Sequence, residues 1–282
     1  MARERRHCNL SVTVGETTLI FMNKLTWHDL QFALLRCPKT LLNLMKEPKY
    51  KDQIFVGGGF LRSIVSGDEI NDIDIFTVSK DLAVELSLEL TARKLHGPPT
   101  NPTYQGRQHE ITTKDLDKLS EHIHTTENAL TLTAFNPPLQ IIHRWNFGSV
   151  GSVAESFDFT CCCAAFSYNG IEWESYCDDR FYPDVAARRL IYRFPVRDEE
   201  PGGSMLRILK YYKKGYRVPL DSLGGVIARL MNKVSFDAVH NEGQLADVIT
   251  GLLREVDPAI DASHVAHLPA EAKLETPTNK AD

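Results

Sequence analysis

One short segment limits the possible folds of this chain more than any other, because it places a glycine cluster between two apolar runs. Residues 53–57 form the first run, Gly58 and Gly59 follow it, and helical spacing of apolar residues extends to Gly67. Apolar and polar residues alternate in the second run, 71–78, which is typical of a strand. The segment therefore predicts a strand, a glycine turn, a helix and a second strand, an order that brings the glycine turn and the aspartates of the second strand to one edge of a sheet.

The second strand carries two aspartates, Asp72 and Asp74, separated by one isoleucine. Alternate side chains of a strand share a face, so both carboxylates are expected on the same side. A cation between them relieves their repulsion, and Mg²⁺ prefers oxygen ligands of this kind. The pair predicts a metal site, with an exposed strand end as the alternative interpretation.

The glycines before the helix predict a phosphate-binding turn. At Gly58 and Gly59 the backbone amides could approach a triphosphate at the positive end of a helix. Arg62, one turn further along, could add a bidentate contact to a phosphate. The alternative is a tight turn followed by a surface arginine.

In order and spacing, this segment resembles the class II CCA-adding enzymes and bacterial-type poly(A) polymerases of the polymerase-β-like nucleotidyltransferase superfamily. Their head motif is GGxxR, four residues, G, four residues and DxD. It is matched at Gly58, Gly59, Arg62, Gly67, Asp72 and Asp74.

Three later segments extend the resemblance to about residue 218, in the order of that family. The first, FDFTCCCAAF (157–166), resembles RRDFTINAL, and the second (176–193) more loosely resembles DPxGGxxDLxxRxIR. The third, SMLRILKYYKKGYRV (204–218), resembles the helix EDPLRILRAxRFAxRxGF.

The resemblance implies an α+β fold in which a polymerase-β-like palm, a mixed sheet flanked by helices, precedes a small helical neck. It implies transfer of a nucleoside monophosphate from an NTP to an acceptor hydroxyl, with Asp72 and Asp74 as catalytic residues that bind two Mg²⁺ ions. It further implies a role for Asp158 in ribose recognition and for Arg207 in reading the base. The acceptor in that family is an RNA 3′ end, with tRNA as one candidate here.

The chain departs from the family pattern at several positions that bear on activity. Ser156 and Phe157 replace two arginines, and Gly203 and Ser204 replace an acidic pair. Gln140 stands where the superfamily usually has a third metal carboxylate, and an amide binds a cation more weakly.

These departures leave three functions open. Asp158 or an insertion residue such as Glu110 could replace the third carboxylate, or two carboxylates could suffice for transfer to RNA. The same chemistry could nucleotidylate a protein or a small molecule. The third alternative is a binding module that no longer catalyses transfer.

Composition and charge limit the remaining possibilities. The formal net charge of −5 argues against a surface that binds nucleic acid throughout, although KYYKKGYR (210–217) could form a local basic patch. With no run of 18 apolar residues, we expect a cytoplasmic protein without a membrane partner. Three of the six cysteines are consecutive, and we expect reduced, buried thiols.

The distribution of residue types predicts four regions along the chain. They are an N-terminal hairpin with two helices (1–50), the palm with a polar insertion near 98–128 (51–195), the helical neck (196–256) and a disordered tail (257–282).

Overall fold

The computed structural model describes residues 23–97, 119–194, 200 and 202–254, together with the backbone of 13–14 and 17–18. Most of the predicted insertion, including Glu110, and the predicted tail lie outside the described residues. The chain divides into two compact units between Arg188 and Arg189. The four regions expected from the sequence stay predictions.

Two short strands and two helices precede the main sheet. Strands β1 (Thr13–Val14) and β2 (Thr17–Thr18) pair antiparallel, in the region where the sequence predicts a hairpin. Helices α1 (Trp27–Arg36) and α2 (Lys39–Lys46) are separated at Pro38, because proline cannot continue a helix. The Thr26 hydroxyl caps α1 by accepting a hydrogen bond from the Asp29 amide at 3.2 Å.

Seven strands form one sheet in the described part of the first unit. Their order across the sheet is β5-β6-β7-β4-β3-β8-β9, with β4 and β7 parallel and the other neighbours antiparallel. The strands are β3 (Ile54–Gly57), β4 (Ile73–Thr77), β5 (Ile123–Thr125), β6 (Ala129–Leu132), β7 (Leu139–Ile142), β8 (Ala164–Tyr168) and β9 (Trp173–Cys177).

Helices flank this sheet, which confirms the α+β class and the mixed sheet expected from the sequence. Helix α4 (Lys80–His96) packs against β4, β6 and β7, and α5 (Val150–Glu155) packs against β3, β8 and β9. The connection between β3 and β4 is α3 (Gly59–Ser66), and α6 (Phe181–Ala186) follows β9. A 3-10 turn (Thr160–Cys162) leads into β8.

The described part of the second unit is helical. It contains α7 (Gly202–Tyr212), α8 (Leu220–Met231) and α9 (Glu242–Arg254), with a 3-10 turn at Phe236–Ala238. Helix α7 packs against both α8 and α9. These helices lie within residues 196–256, where the sequence predicts a helical neck.

Two further expectations can be compared with the described residues. Five cysteines (Cys37, Cys161, Cys162, Cys163 and Cys177) are free and buried, in agreement with the predicted reduced thiols. Among the helices described here, none combines the length and the apolar character that a membrane crossing would need.

Candidate functional site

The first feature of the site is the contact between the glycine turn and the second aspartate. Strands β3 and β4 are antiparallel neighbours, and their register pairs Gly57 with Asp74. Gly58, with φ of 73°, begins the turn into α3, and a Cβ atom added to it would lie 3.4 Å from Oδ2 of Asp74. The fold therefore brings the predicted phosphate turn and one predicted metal ligand side by side.

The first aspartate, Asp72, lies at the N-terminal end of the same strand. Asp72 immediately precedes β4, and it is partly exposed, as is Asp74. The intervening Ile73 is fully buried, which is the alternation that the sequence predicts. Both carboxylates are thus accessible to a ligand while the strand between them is anchored in the core.

A row of side chains crosses the sheet in register with Asp74 and shares its face. Thr131 and Gln140 lie on one side of Asp74, and Gly57 and Ala165 lie on the other. Thr131 and Gln140 are partly exposed, whereas Gly57 and Ala165 are buried. The accessible half of this face consequently runs from Asp74 towards β6, and Thr131, which the sequence analysis did not identify, belongs to it.

The ring of Phe157 lies over the buried half of this sheet face. It would lie 2.8 Å from a Cβ atom on Gly58 and 3.3 Å from one on Gly57. The ring also makes an edge contact with Phe76, with centroids 5.7 Å apart. The lack of side chains at the glycine turn is therefore required by packing within the protein, which the sequence alone did not reveal.

Gln140 occupies the position opposite Asp74 on the parallel strand β7. The sequence analysis expects Gln140 at the place of a third metal carboxylate, and this register puts its amide beside Asp74. Within the described ranges, no group of three or more His, Cys, Asp or Glu side chains is arranged to hold a metal ion. Two carboxylates and an amide oxygen are nevertheless all hard oxygen donors, so the donor set fits Mg²⁺.

Two other predicted substrate ligands are buried. Arg62 is 2% exposed, and its Nη2 donates a hydrogen bond to Oγ of Ser63 at 2.9 Å. Asp158 is also 2% exposed and precedes the 3-10 turn. Direct contact of either side chain with a nucleotide therefore requires greater exposure than this structure shows.

A buried acidic residue, Asp184, connects the 3-10 turn to α6. The Thr160 hydroxyl donates to Oδ2 of Asp184 at 2.6 Å, and the Arg180 guanidinium donates to both carboxylate oxygens at 3.1 and 3.2 Å. Asp184 is fully buried, whereas the Arg180 side chain is half exposed. The sequence analysis quoted both segments as resembling family motifs but gave no sign that they are linked.

A second ion pair joins the end of α3 to the end of α6. The Arg188 guanidinium lies 2.8 Å from Oδ1 of Asp68 and donates a longer bond, of 3.4 Å, to Oδ2. Burial acts to raise the pKa of Asp68, but hydrogen bonds from Arg188 and Ser66 and the charge of Arg188 outweigh it and lower this pKa. The carboxylate is therefore held in its charged form.

A cavity of about 550 Å³ lies near the C-terminal end of α3, away from the glycine turn at the N-terminal end. Phe32, Leu35 and Ile64 contribute apolar lining, and Asp68 also lines it. Neither aspartate of the predicted metal site lines this cavity.

In the second unit, Arg207 lies on α7 beside the position of the missing acidic pair. A Cβ atom on Gly203 would be 3.3 Å from Nη2 of Arg207, and Ser204 is buried. An acidic side chain at position 203 would thus begin next to the arginine. In this chain that neighbouring position carries no side chain.

Comparison with known proteins assigns the family. The family model described as "Gabija anti-defense 2 family protein" matches residues 35–188, which is more than half of the chain. The chain belongs to the Gabija anti-defense 2 family. The matched segment contains the glycine turn, Asp72, Asp74, Gln140 and Asp158, so the accessible half of the sheet face around Asp74 lies within the region that the family model matches. A search of curated proteins found no match.

Among solved structures, this Gabija anti-defense 2 chain is similar to CCA-adding enzymes. The Thermotoga maritima enzyme complexed with tRNA matches at 15% identity and a TM-score of 0.45, over 72% of this chain and 45% of that enzyme. A CCA-adding enzyme with CTP matches at 15% identity and a TM-score of 0.47, over 80% of this chain and 49% of that enzyme. The chain thus spans about half the length of these enzymes.

Proposed function

We propose that this chain is a metal-dependent nucleotidyltransferase that moves a nucleoside monophosphate from an NTP to the 3′ end of an RNA and releases pyrophosphate. The observation that supports this most directly is the position of Asp74, whose Oδ2 is 3.4 Å from the Cβ position of Gly58 at the start of α3. A carboxylate beside a helix N-terminus brings a cation ligand and phosphate-binding amides to one place.

Each part of the site then has a proposed role. The backbone amide of Gly59, at the start of α3, binds the triphosphate, because the Gly58 amide already donates to the Ala164 carbonyl at 3.0 Å. Asp72 and Asp74 hold Mg²⁺, with the side-chain oxygen of Gln140 as a neutral ligand. When bound, Mg²⁺ neutralises charge on the phosphates and favours deprotonation of the acceptor hydroxyl. Phe157 excludes water from one side of the turn, which strengthens electrostatic interactions there.

Other predicted residues keep supporting roles in this proposal. Arg62 supplies a buried positive charge from α3, and Arg207 contributes to base choice. Asp158 is 2% exposed, so recognition of the ribose by this side chain requires that it first become exposed. The family description connects its members with action against a defence system called Gabija. We therefore propose that the acceptor RNA is one whose modification weakens that defence, with a protein acceptor as the alternative to be tested.

The test is to incubate the protein with each radiolabelled NTP, Mg²⁺, total RNA and cell protein, and to ask which fraction acquires label. We expect label in RNA, loss of labelling in Asp72→Asn and Asp74→Asn, and unchanged labelling in Asp179→Asn. Asp179 is an exposed carboxyl in the same unit, so it controls for the loss of one charge. Unchanged labelling in both site variants would overturn the metal-site proposal, and label in protein alone would replace RNA as the acceptor.

A second candidate, nucleotide binding without transfer, is favoured by one observation. Gln140 lies opposite Asp74 on the neighbouring strand, at the place of the expected third carboxylate. The candidates are separated by Gln140→Glu, which adds a negative charge, and Gln140→Met, which removes the oxygen. A transferase is expected to need less Mg²⁺ in the first variant and more in the second, whereas a binding module would transfer no label in wild type.

A further inference from the structure

The C-terminal end of α7 and the turn that follows it carry a concentration of positive charge that contrasts with the rest of the chain. Residues 202–220 contain five Lys or Arg residues and no Asp or Glu, although the whole chain has a net charge of −5. Lys210, Lys213 and Arg217 are exposed. A polyanion would therefore meet an attractive potential here and a less favourable one over most of the protein.

The three tyrosines of this segment divide between core and surface. Tyr211 and Tyr216 are buried, with their ring centroids 5.9 Å apart. Tyr212 is 59% exposed. Of the three rings, only that of Tyr212 is therefore exposed enough for a base to stack on it.

The backbone explains why an arginine lies over that ring. Helix α7 ends at Tyr212, the chain turns at Gly215 with φ of 85°, and the Tyr216 amide donates back to the Tyr211 carbonyl at 3.1 Å. Arg217 is then fixed by its carbonyl, which accepts from the Leu190 amide at 2.9 Å. Its guanidinium carbon lies 4.5 Å from the centre of the Tyr212 ring.

Cations near a helix C-terminus are common because they interact favourably with the helix dipole. That effect accounts for Lys210 and Lys213 but not for an exposed ring beneath a guanidinium. A flat cation on an aromatic ring, with lysines beside it, provides both a stacking platform for a base and contacts for phosphates.

We propose that Tyr212, Arg217, Lys210 and Lys213 form a binding surface for single-stranded RNA, hereafter the Tyr212 surface. The bases stack on the Tyr212–Arg217 pair, and the lysines bind the phosphate backbone. This inference rests on the proposed function, because it assigns the acceptor RNA to a surface of this chain. It concerns residues outside the family-matched region 35–188.

The test measures binding of a fluorescein-labelled 12-nucleotide single-stranded RNA by anisotropy, with the full chain and without NTP or Mg²⁺. Tyr212→Ala is expected to weaken binding about tenfold, in line with the loss of one stacked base, and Tyr212→Phe to retain it. Replacing Lys210 and Lys213 by Gln is expected to reduce the slope of log K against log salt by roughly 0.7 per lysine.

Matched controls exist in the same unit. Phe236, at 58% exposure, has nearly the same exposure as Tyr212, and Lys233 is an exposed lysine on another element. Phe236→Ala and Lys233→Gln are expected to leave affinity unchanged. Wild-type affinity in Tyr212→Ala, equal losses in the controls, or equally tight binding of poly-glutamate would overturn the proposal, as would a preference for DNA of the same sequence.

Failure of this proposal can be distinguished from failure of the proposed function. RNA binding and transfer of label are measured on the same wild-type protein and on Tyr212→Ala. RNA binding that depends on Tyr212, in a wild-type protein that transfers no nucleotide, would retain the surface and refute the transferase. Transfer of nucleotide to RNA that is unchanged in Tyr212→Ala would retain the transferase and refute the Tyr212 surface.

Discussion

At the scale of single residues, Gly58 is the position where two requirements meet. Its positive φ disfavours any residue with a Cβ atom, and such an atom would also lie 2.8 Å from the Phe157 ring. Gly67 has a similar φ of 71°, but no atom lies within 4 Å of its Cβ position. A comparison of substitutions at the two glycines therefore separates the effect of backbone strain from the effect of overlap with a neighbouring side chain.

We expect Gly58→Ala to destabilise the protein by about 1–3 kcal/mol more than Gly67→Ala, because only the former adds overpacking to the strain of a positive φ. Urea unfolding of both variants measures the difference. A Gly58→Ala, Phe157→Ala double mutant should recover part of it, with a coupling energy of about 1 kcal/mol or more. Equal losses of stability in Gly58→Ala and Gly67→Ala would show that the Phe157 ring moves aside at little cost in free energy.

At the scale of secondary-structure elements, buried polar contacts fix the 3-10 turn against α6. Asp184 accepts from both Thr160 and Arg180, and only Arg180 is substantially exposed. Hydrogen bonds to buried charges contribute more than ion pairs that are open to solvent.

The expected order of destabilisation is Asp184→Asn, then Thr160→Val, then Arg180→Gln. We expect about 2–3 kcal/mol for the first, since two partners lose a charged acceptor, and less than about 1 kcal/mol for the last. Chemical unfolding at neutral pH gives these values. An Arg180→Gln variant that is less stable than Asp184→Asn would contradict this order.

The Asp68–Arg188 pair predicts a pH dependence for the contact between the ends of α3 and α6. The pKa of Asp68 is lowered from its usual value of 3.8, so the pair contributes stability above that pH and loses it as the pH falls through the lowered pKa. Unfolding free energies of wild type and Asp68→Asn should thus differ at pH 7 and converge at strongly acidic pH. A difference that grows on acidification would have the wrong sign.

The elements differ in how far the sequence could predict them. Strands β3 and β4 and helix α3 were predictable, because Gly58 and Gly67 mark the helix ends and the apolar pattern changes at each. Strand β8 was not, since Cys161–Phe166 is uniformly small or apolar and has no period. Strand β5 lies in a polar stretch that was interpreted as part of an insertion.

The features of the candidate site also differ in how far the sequence could predict them. The spacing of Asp72 and Asp74 and the substitution at Gln140 could be identified within single segments. The overlap of Phe157 with Gly58 and the bond from Thr160 to Asp184 could not, because they join segments that are far apart in the chain. Such contacts depend on tertiary packing, which leaves no periodic signal in one sequence.

At the scale of the whole molecule, the proposed function leads to a prediction about the choice of nucleotide. The resemblance assigns base reading to an acidic residue and an arginine, and here Arg207 has Gly203 beside it. A missing polar partner relaxes discrimination, because a wrong base then leaves fewer buried groups unpaired.

We expect relaxed or altered NTP preference without ordered addition of C, C and A. Arg207→Ala should change which NTP is used more than it changes the melting temperature, whereas Lys233→Ala should change neither. Presenting the four NTPs singly and together with an RNA primer, followed by sequencing of the products, tests this. A clean CCA end would show that another acidic residue, such as Glu199 or Glu200, reads the base.

The order of strands in the sheet has a consequence for how such a protein can diversify. The central pair β3 and β4 comes from one contiguous stretch, 54–77, so the glycine turn and both aspartates are inherited together. Residues 98–118 precede β5, which is the outermost strand and three places from β4. A change in the length of that stretch is therefore expected to leave the register between β3 and β4 unaltered.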